Sequence, residues 1–242
     1  MIAADRLAAV MEATWPPQHS HRLGPWTIRD GAGGGKRVSA ASAGAEVSAA
    51  DLPQAEAAMR AIGQPALFVI RPGDAALDDL LAARSYARID PVLAYAAPVS
   101  GFDPPPAMTS FPHWPPMEIA RVLWELAGIG PARLAVMHRV QGPRTALLAR
   151  ARDRAAGVAF VALDGDIAML HALEVAPGQR RQGCAGHLLQ AAAVWAADNG
   201  ATTLSLVVTE ANTPARALYV SAGMEVVGQY HYRVEPPKAP HP

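Results

Sequence analysis

Val175-Ala-Pro-Gly-Gln-Arg-Arg-Gln-Gly-Cys-Ala-Gly-His-Leu-Leu189 joins an apolar run to a helical repeat through a short polar loop. Upstream, Ala168 to Val175 is apolar apart from His171 and Glu174, which is the pattern of a strand buried in a sheet, and Pro177-Gly178 ends it. Downstream, Leu188, Leu189, Ala192 and Trp195 recur at helical spacing until Asn199-Gly200. The loop therefore delivers the chain into a helix N-terminus, where first-turn N–H groups are free to donate and the helix dipole favours an anion. Gly183 has no Cβ and Ala185 and Gly186 are small, so a ligand can approach the backbone, while Arg180 and Arg181 add positive charge. A pyrophosphate suits that arrangement. An ordinary helix start flanked by surface arginines fits the same letters.

Two other phosphate motifs are excluded. In Gly31-Ala-Gly-Gly-Gly-Lys36, Asp30 stands where a P-loop needs its first glycine and Arg37 where it needs Ser or Thr. That run reads as a hairpin turn between Trp26–Arg29 and Arg37–Ala41. The loop at 178–186 lacks the three-glycine spacing of a dinucleotide site.

Further along, Thr203 to Val208 reads as a second buried strand. Asn212-Thr213-Pro214 then announces a helix, with Thr213 as cap and Pro214 in its first turn, closed by Gly223. Asn212 and Tyr219 lie about two helical turns apart and can share a face.

Together the two segments resemble the GCN5-related N-acetyltransferase (GNAT) superfamily. Its signature is Arg/Gln-x-x-Gly-x-Gly/Ala followed by Asn-x-x-Ala-x-x-Leu-Tyr-x-x-x-Gly-Phe. Here these stand as Arg180-x-x-Gly183-x-Ala185 and Asn212-x-x-Ala215-x-x-Leu218-Tyr219-x-x-x-Gly223-Met224. The resemblance covers residues 117–235. It implies a mixed-sheet α/β fold of GNAT type and acetyl-CoA as co-substrate, with direct transfer of the acetyl group to a primary amine of a small molecule or peptide. By the same resemblance, backbone groups of Leu173, Glu174 and Val175 pair with the pantetheine arm where two strands splay. The amides of Arg180, Arg181, Gln182, Gly183, Cys184, Ala185 and Gly186 hold the pyrophosphate, and Asn212 contacts the cofactor arm or orders the loop. Tyr219 gives a proton to the departing thiolate, a role that a phenol with an ordinary pKa near 10 fills at neutral pH. Direct attack on a thioester needs neither a metal nor a covalent nucleophile.

The general base is less defined. Relatives that modify ribosomal proteins carry a glutamate where this chain has Val207. Glu174 and Glu210 are the candidates; Glu174 is either that base or a carboxylate turned to solvent or to an arginine. Period-two alternation puts His171 on the same side as Leu173, where it reads as a core histidine rather than a catalytic one. Tyr230, His231 and Tyr232 either line the acceptor site or pack on a strand. Cys184 is the single cysteine, so no intramolecular disulfide forms; it reads as a small core residue, although a helix N-terminus can lower a thiol pKa.

With 21 basic and 21 acidic residues and 51% apolar composition, the chain has a packed core and no net electrostatic drive toward nucleic acid. No apolar run reaches the roughly 20 residues that span a bilayer, and the N-terminus does not read as a signal peptide. The expectation is a cytoplasmic enzyme acting on acetyl-CoA and an amine acceptor, without nucleic-acid or membrane partners; oligomeric state is open.

The prolines between Pro98 and Pro116 interrupt both periodicities and mark a linker over 98–116. Beyond it, Ile119, Val122, Leu123 and Leu126 resume a helical pattern. Residues 1–97 form an additional N-terminal α/β lobe: helices over Leu52–Ile62 and Ala75–Arg84, strands over Ala66–Ile70 and Ile89–Ala96. Its last strand–helix–strand unit parallels the C-terminal one, with Leu80-Leu81 against Leu218-Tyr219. This is the pattern of a degenerate acetyltransferase-like half in which Leu81 replaces the acid. Trp15, Trp26 and Trp114 are either core residues or walls of the acceptor cleft. A disordered tail is expected over 236–242. Two other functions stay open: a catalytically silent acyl-CoA-binding regulator, and a peptide-binding module on the same scaffold.

Overall fold

The computed structural model describes residues 2–44 and 46–236; the tail expected over 236–242 falls, from residue 237 on, outside them. In chain order the elements are α1 (Ala4–Thr14), β1 (His19–Leu23), β2 (Trp26–Asp30), α2 (Lys36–Ser39), β3 (Ser42–Ala43), α3 (Leu52–Ala61), β4 (Leu67–Ile70), α4 (Ala75–Ala83), β5 (Ala87–Pro98), β6 (Ser110–His113), α5 (Glu118–Leu126), α6 (Pro131–Arg139), β7 (Arg144–Ala151), β8 (Arg154–Asp164), β9 (Ile167–Val175), α7 (Cys184–Asp198), β10 (Thr203–Thr209), α8 (Thr213–Ser221) and β11 (Glu225–Val234). The fold is mixed α/β. It divides into one unit of Met1–Pro16, Ala94–Val208 and Asn212–Val227, and another of Pro17–Leu93, Thr209–Ala211 and Gly228–Pro242.

The first unit is built on strands in the order β10-β9-β8-β7-β6, with the Ala94–Pro98 end of β5 beside β10. β10 runs parallel to β9, and the remaining neighbours are antiparallel. At its centre Ala156 to Leu163 of β8 is buried at every position, which an uninterrupted apolar run permits and an alternating one would not. Helix α7 packs on β7, β8 and β9, and α1 and α5 pack on β8 and β9. The sequence carried no expectation of α1; it inserts Leu7 and Val10 into a cluster with Ala94, Ile167 and Met169.

Helix α5 forms where expected, and most of the apolar residues that mark it are not the ones it buries. Ala120 and Trp124 are its buried residues, while Ile119, Val122 and Leu126 are exposed, Leu126 at 78%. The anchor is the Trp124 indole N–H, which donates to the Ala172 carbonyl (2.8 Å). The proline-rich stretch also contains a strand: β6 pairs with β7 only, so Pro112 sits on a sheet edge, where its missing N–H leaves no ladder bond broken.

Gly157 on β8 is a point of close approach. A Cβ there would lie 2.8 Å from the Glu174 carbonyl oxygen and 3.3 Å from Cδ1 of Leu188 on α7. Gly157→Ala should destabilise the protein by about 1–3 kcal/mol through overpacking. A denaturant midpoint equal to wild type would contradict that close packing.

The second unit has a three-stranded antiparallel sheet, β1-β2-β3, and β4 paired antiparallel with the end of β11. The tight hairpin here is β1–β2, around Gly24-Pro25. Arg37–Ala41 is not the expected hairpin strand: residues 36–39 make a helical turn that buries Val38, and β2 pairs instead with β3, Trp26 opposite Ala43. Trp26, Ile28, Leu52, Met59, Phe68 and Leu81 form the core. On β11, Tyr230 and Tyr232 are buried edge to face, and His231 and Arg233 both bind the Asp78 carboxylate, at 2.9 and 2.7 Å. Tyr230 and His231 also line a cavity of about 280 Å³, together with Arg88 and Glu210.

Candidate functional site

The site begins with an irregularity in β9. His171 lies opposite Phe160 and Glu174 opposite Val158, so three steps along β9 match two along β8. The extra residue is accommodated at Ala172, whose φ is +50°. A bulge of this kind bends the strand and breaks its alternation. His171 therefore shares a face with Glu174 and not, as period two predicted, with Leu173.

Where β9 bends, it parts from β10. The two strands are paired from Thr203–Ile167 to Leu206–Leu170 and no further, although β10 continues to Thr209 and β9 to Val175. Residues 171–175 thus present a backbone edge without a partner on β10. Such an edge can pair with an extended polar chain, as an added strand would.

The edge leads directly into the loop. After a 3₁₀ turn at Pro177–Gln179, Arg181 takes a φ of +62° and Gly183 a φ of +81°, and Gly183 is the N-cap of α7. A glycine cap supplies no side-chain oxygen, so the amides that open α7 receive no side-chain cap. A Cβ on Gly183 would lie 3.3 Å from the His187 ring. Arg180 Nε donates to the Val175 carbonyl (3.3 Å), and Gln182 Nε2 to Oε1 of Gln179 (3.2 Å). Burial pushes the Cys184 thiol up, so the helix N-terminus does not activate it; the thiol leans on the Gln179 carbonyl (3.8 Å).

Tyr219 on α8 is buried, and its ring lies 5.7 Å from that of Tyr95 on β5. Desolvation, reinforced by the Glu174 carboxylate, pushes the Tyr219 phenol up to about 12. Glu174 is half-buried; burial pushes its carboxyl up, and Arg180 and Arg133 partly offset this. The phosphate-type loop, the unpaired edge, Glu174 and Tyr219 are thereby brought together in one unit. Arg133 on α6 and Tyr95 are neighbours that sequence reading missed, and no motif marks either.

Asn212 caps α8: its side-chain oxygen accepts from the Ala215 N–H (3.2 Å). It takes the place expected of Thr213, because its carbonyl reaches the third N–H of the helix while Thr213 is already helical. Val207 packs against the cluster under α1. Glu210 belongs to the other unit, where its N–H donates to the Pro91 carbonyl (2.7 Å). His171 is a core residue between Trp15 and Phe160, with ring centroids at 5.0 and 6.1 Å. The Thr14 hydroxyl gives its proton to the Val10 carbonyl (2.7 Å), so in the 2.9 Å contact with His171 it is Nε2 that donates. Trp15 and Trp26 are core, whereas Trp114 is partly exposed, its ring tilted against that of Phe160 at 5.6 Å and covered by Arg144 at 4.9 Å. Among the described residues no helix is long and apolar enough to cross a membrane, and no group of three or more His, Cys, Asp or Glu side chains is placed to hold a metal ion.

Residues 114–224 match the acetyltransferase (GNAT) family. An uncharacterised N-acetyltransferase of Bacillus subtilis is 24% identical over 96% of this chain and 97% of its own length. Among solved structures, a GCN5-related N-acetyltransferase from Kribbella flavida superposes with a TM-score of 0.72 at 18% identity, covering 98% of this chain and 96% of that one. A tandem GNAT protein from the clavulanic acid biosynthesis pathway gives a TM-score of 0.63 at 17% identity, over 97% of this chain and 89% of that one. Residues 114–224, which carry the bulged strand, the loop and Tyr219, form a domain of the GNAT family of acetyltransferases.

Proposed function

We propose that the chain is an acetyl-CoA-dependent N-acetyltransferase that transfers the acetyl group directly to a primary amine of a small molecule or peptide. The observation that carries this is the parting of β9 and β10 beyond Leu170 and Leu206, which opens an unpaired edge running straight into uncapped amides at Gly183. The residues present fit a thioester on a long amide-bearing arm ending in a diphosphate. The edge at Leu173 to Val175 takes the arm, and the amides of 180–186 with Arg180 and Arg181 take the diphosphate. The thioester supplies an activated acyl carbon, so the protein needs only to orient the amine and move protons.

In this reading Tyr219 is the general acid. A phenol held at about 12 keeps its proton throughout the neutral range. Glu174 is the base that takes the proton from the acceptor ammonium, so that the neutral amine attacks; its raised carboxyl suits removal of a proton near neutrality. Asn212 fixes the start of α8 and with it Tyr219. The N-terminal lobe is read as a degenerate acetyltransferase-like half, a reading supported by the likeness in fold to a tandem GNAT protein.

Acetyl-CoA titrated into the full chain should bind, and addition of amines should release thiol; failure to bind ends the reading. A base works only when deprotonated, and burial retains the Glu174 proton to higher pH than usual for a carboxylate. The kcat/KM of wild type should therefore rise with pH through a value above the ordinary carboxylate range, and Glu174→Gln should lose that limb together with about 10²-fold in rate. A limb that persists in the variant would remove Glu174 from the role.

A further inference from the structure

We infer that the cavity in the second unit binds a free α-amino acid with an apolar side chain, its carboxylate on Arg88 and its ammonium on the carboxylates of Asp78 and Glu210. This goes beyond the acetyl-transfer reading and does not rest on it. Every residue that lines the cavity belongs to the second unit, and all but Glu210 lie outside the segment 114–224 that matches the family. At about 280 Å³ the cavity is just below the usual range for small-molecule sites, which suits a single amino acid better than a peptide or a nucleotide. Its charged lining is balanced. Arg71 and Arg88 are offset by Asp78 and Glu210, so a zwitterion is matched at both ends, whereas a bare anion or cation also meets like charge. Ile70 and Val92, both buried, supply an apolar wall for the side chain.

Two groups of the lining are left open to a ligand. His231 Nε2 and Arg233 Nε both reach Asp78 Oδ1, and no described residue donates to Oδ2. Burial pushes the Asp78 carboxyl up, but these two donors more than offset that and hold it below the usual carboxylate range, so it stays charged for an ammonium. The same contacts orient it before a ligand arrives, since Arg233 also donates to the Tyr86 carbonyl (2.9 Å). Arg88 is exposed and, among the described residues, has no hydrogen-bond or ion-pair partner. Its guanidinium offers the forked N–H donors that match a carboxylate. Glu210 is tied to the cavity wall by its N–H, which donates to the carbonyl of Pro91, another lining residue (2.7 Å).

Calorimetric titration of the full chain, without acetyl-CoA, with L-leucine, leucinamide and 4-methylpentanoate tests the assignment. Leucinamide lacks the carboxylate and 4-methylpentanoate the ammonium. Wild type should bind leucine about tenfold or more tightly than either, the usual worth of a hydrogen bond to a charged group. Arg88→Gln should bind leucine no better than leucinamide, with its leucinamide affinity within about threefold of wild type, which also certifies its fold. Arg22→Gln removes an exposed charge of the same unit outside the cavity and should keep the preference. No binding of leucine by wild type, equal binding of either analogue, a preference retained in Arg88→Gln, or its loss in Arg22→Gln would overturn the inference. Because acetyl-CoA is absent, none of these results bears on the proposed function, which stands or falls on its own titration.

Discussion

Tyr219→Phe should lower kcat by about 10²–10⁴-fold, the usual contribution of a positioned proton donor, while acetyl-CoA affinity stays within about threefold of wild type. The substitution removes one oxygen from a buried ring and leaves the 5.7 Å packing against Tyr95 in place, so a loss of fold would not explain the result. The direction of the phenol's shift matters. Burial and the Glu174 carboxylate both disfavour the phenolate, which keeps the proton on Tyr219 at every pH at which the enzyme is to work. Comparing single-turnover rates with binding isotherms separates the two parameters. A kcat equal to wild type would show that the thiolate leaves without help from this side chain.

Gly183→Glu should weaken acetyl-CoA binding on the order of 100-fold or more. Three effects point the same way. At φ +81° any L side chain carries a backbone penalty of about 1–2 kcal/mol. The new Cβ would meet the His187 ring at 3.3 Å. The added carboxylate would stand in front of the amides that are to receive a diphosphate, so like charge opposes the ligand where the site is meant to attract it. Gly183→Ala carries the first two effects without the charge and should fall between wild type and Glu. Retained affinity in the glutamate variant would contradict the proposed position of the diphosphate.

Much of this site could be read from letters, because the chemistry of an anion loop restricts them. Only glycine takes a left-handed cap cheaply, only small residues let a ligand reach the amides of α7, and both facts are visible at 183–186. The buried strands ending at Val175 and Val208 were legible because apolar residues run without alternation. The bulge was not. Ala172 is a residue with no special conformational habit, held left-handed by packing and by a hydrogen bond from Trp124, which lies far away in sequence. The same holds for α5. Ile119, Val122 and Leu126 mark it as a helix and yet are exposed, because periodicity reports that a stripe exists and not which neighbour claims it. Helix α2 and the cap at Asn212 show the same limit at shorter range. Gly-rich and Asn-Thr-Pro segments announce a change of direction, and local hydrogen bonds choose among the turns that achieve it.

The unit that carries Tyr219 draws its parts from stretches far apart in sequence: α1, the Tyr95 segment of β5, and α8. During synthesis α1 must remain without its sheet until β8 and β9 have emerged, and Tyr95 must wait for Tyr219. Assembly is then governed by the slow closure of long loops. A deletion of α1 that spares every residue of the two sequence motifs would still strip Leu7 and Val10 from their cluster with Ala94, Ile167 and Met169 and so leave apolar surface of the sheet bare.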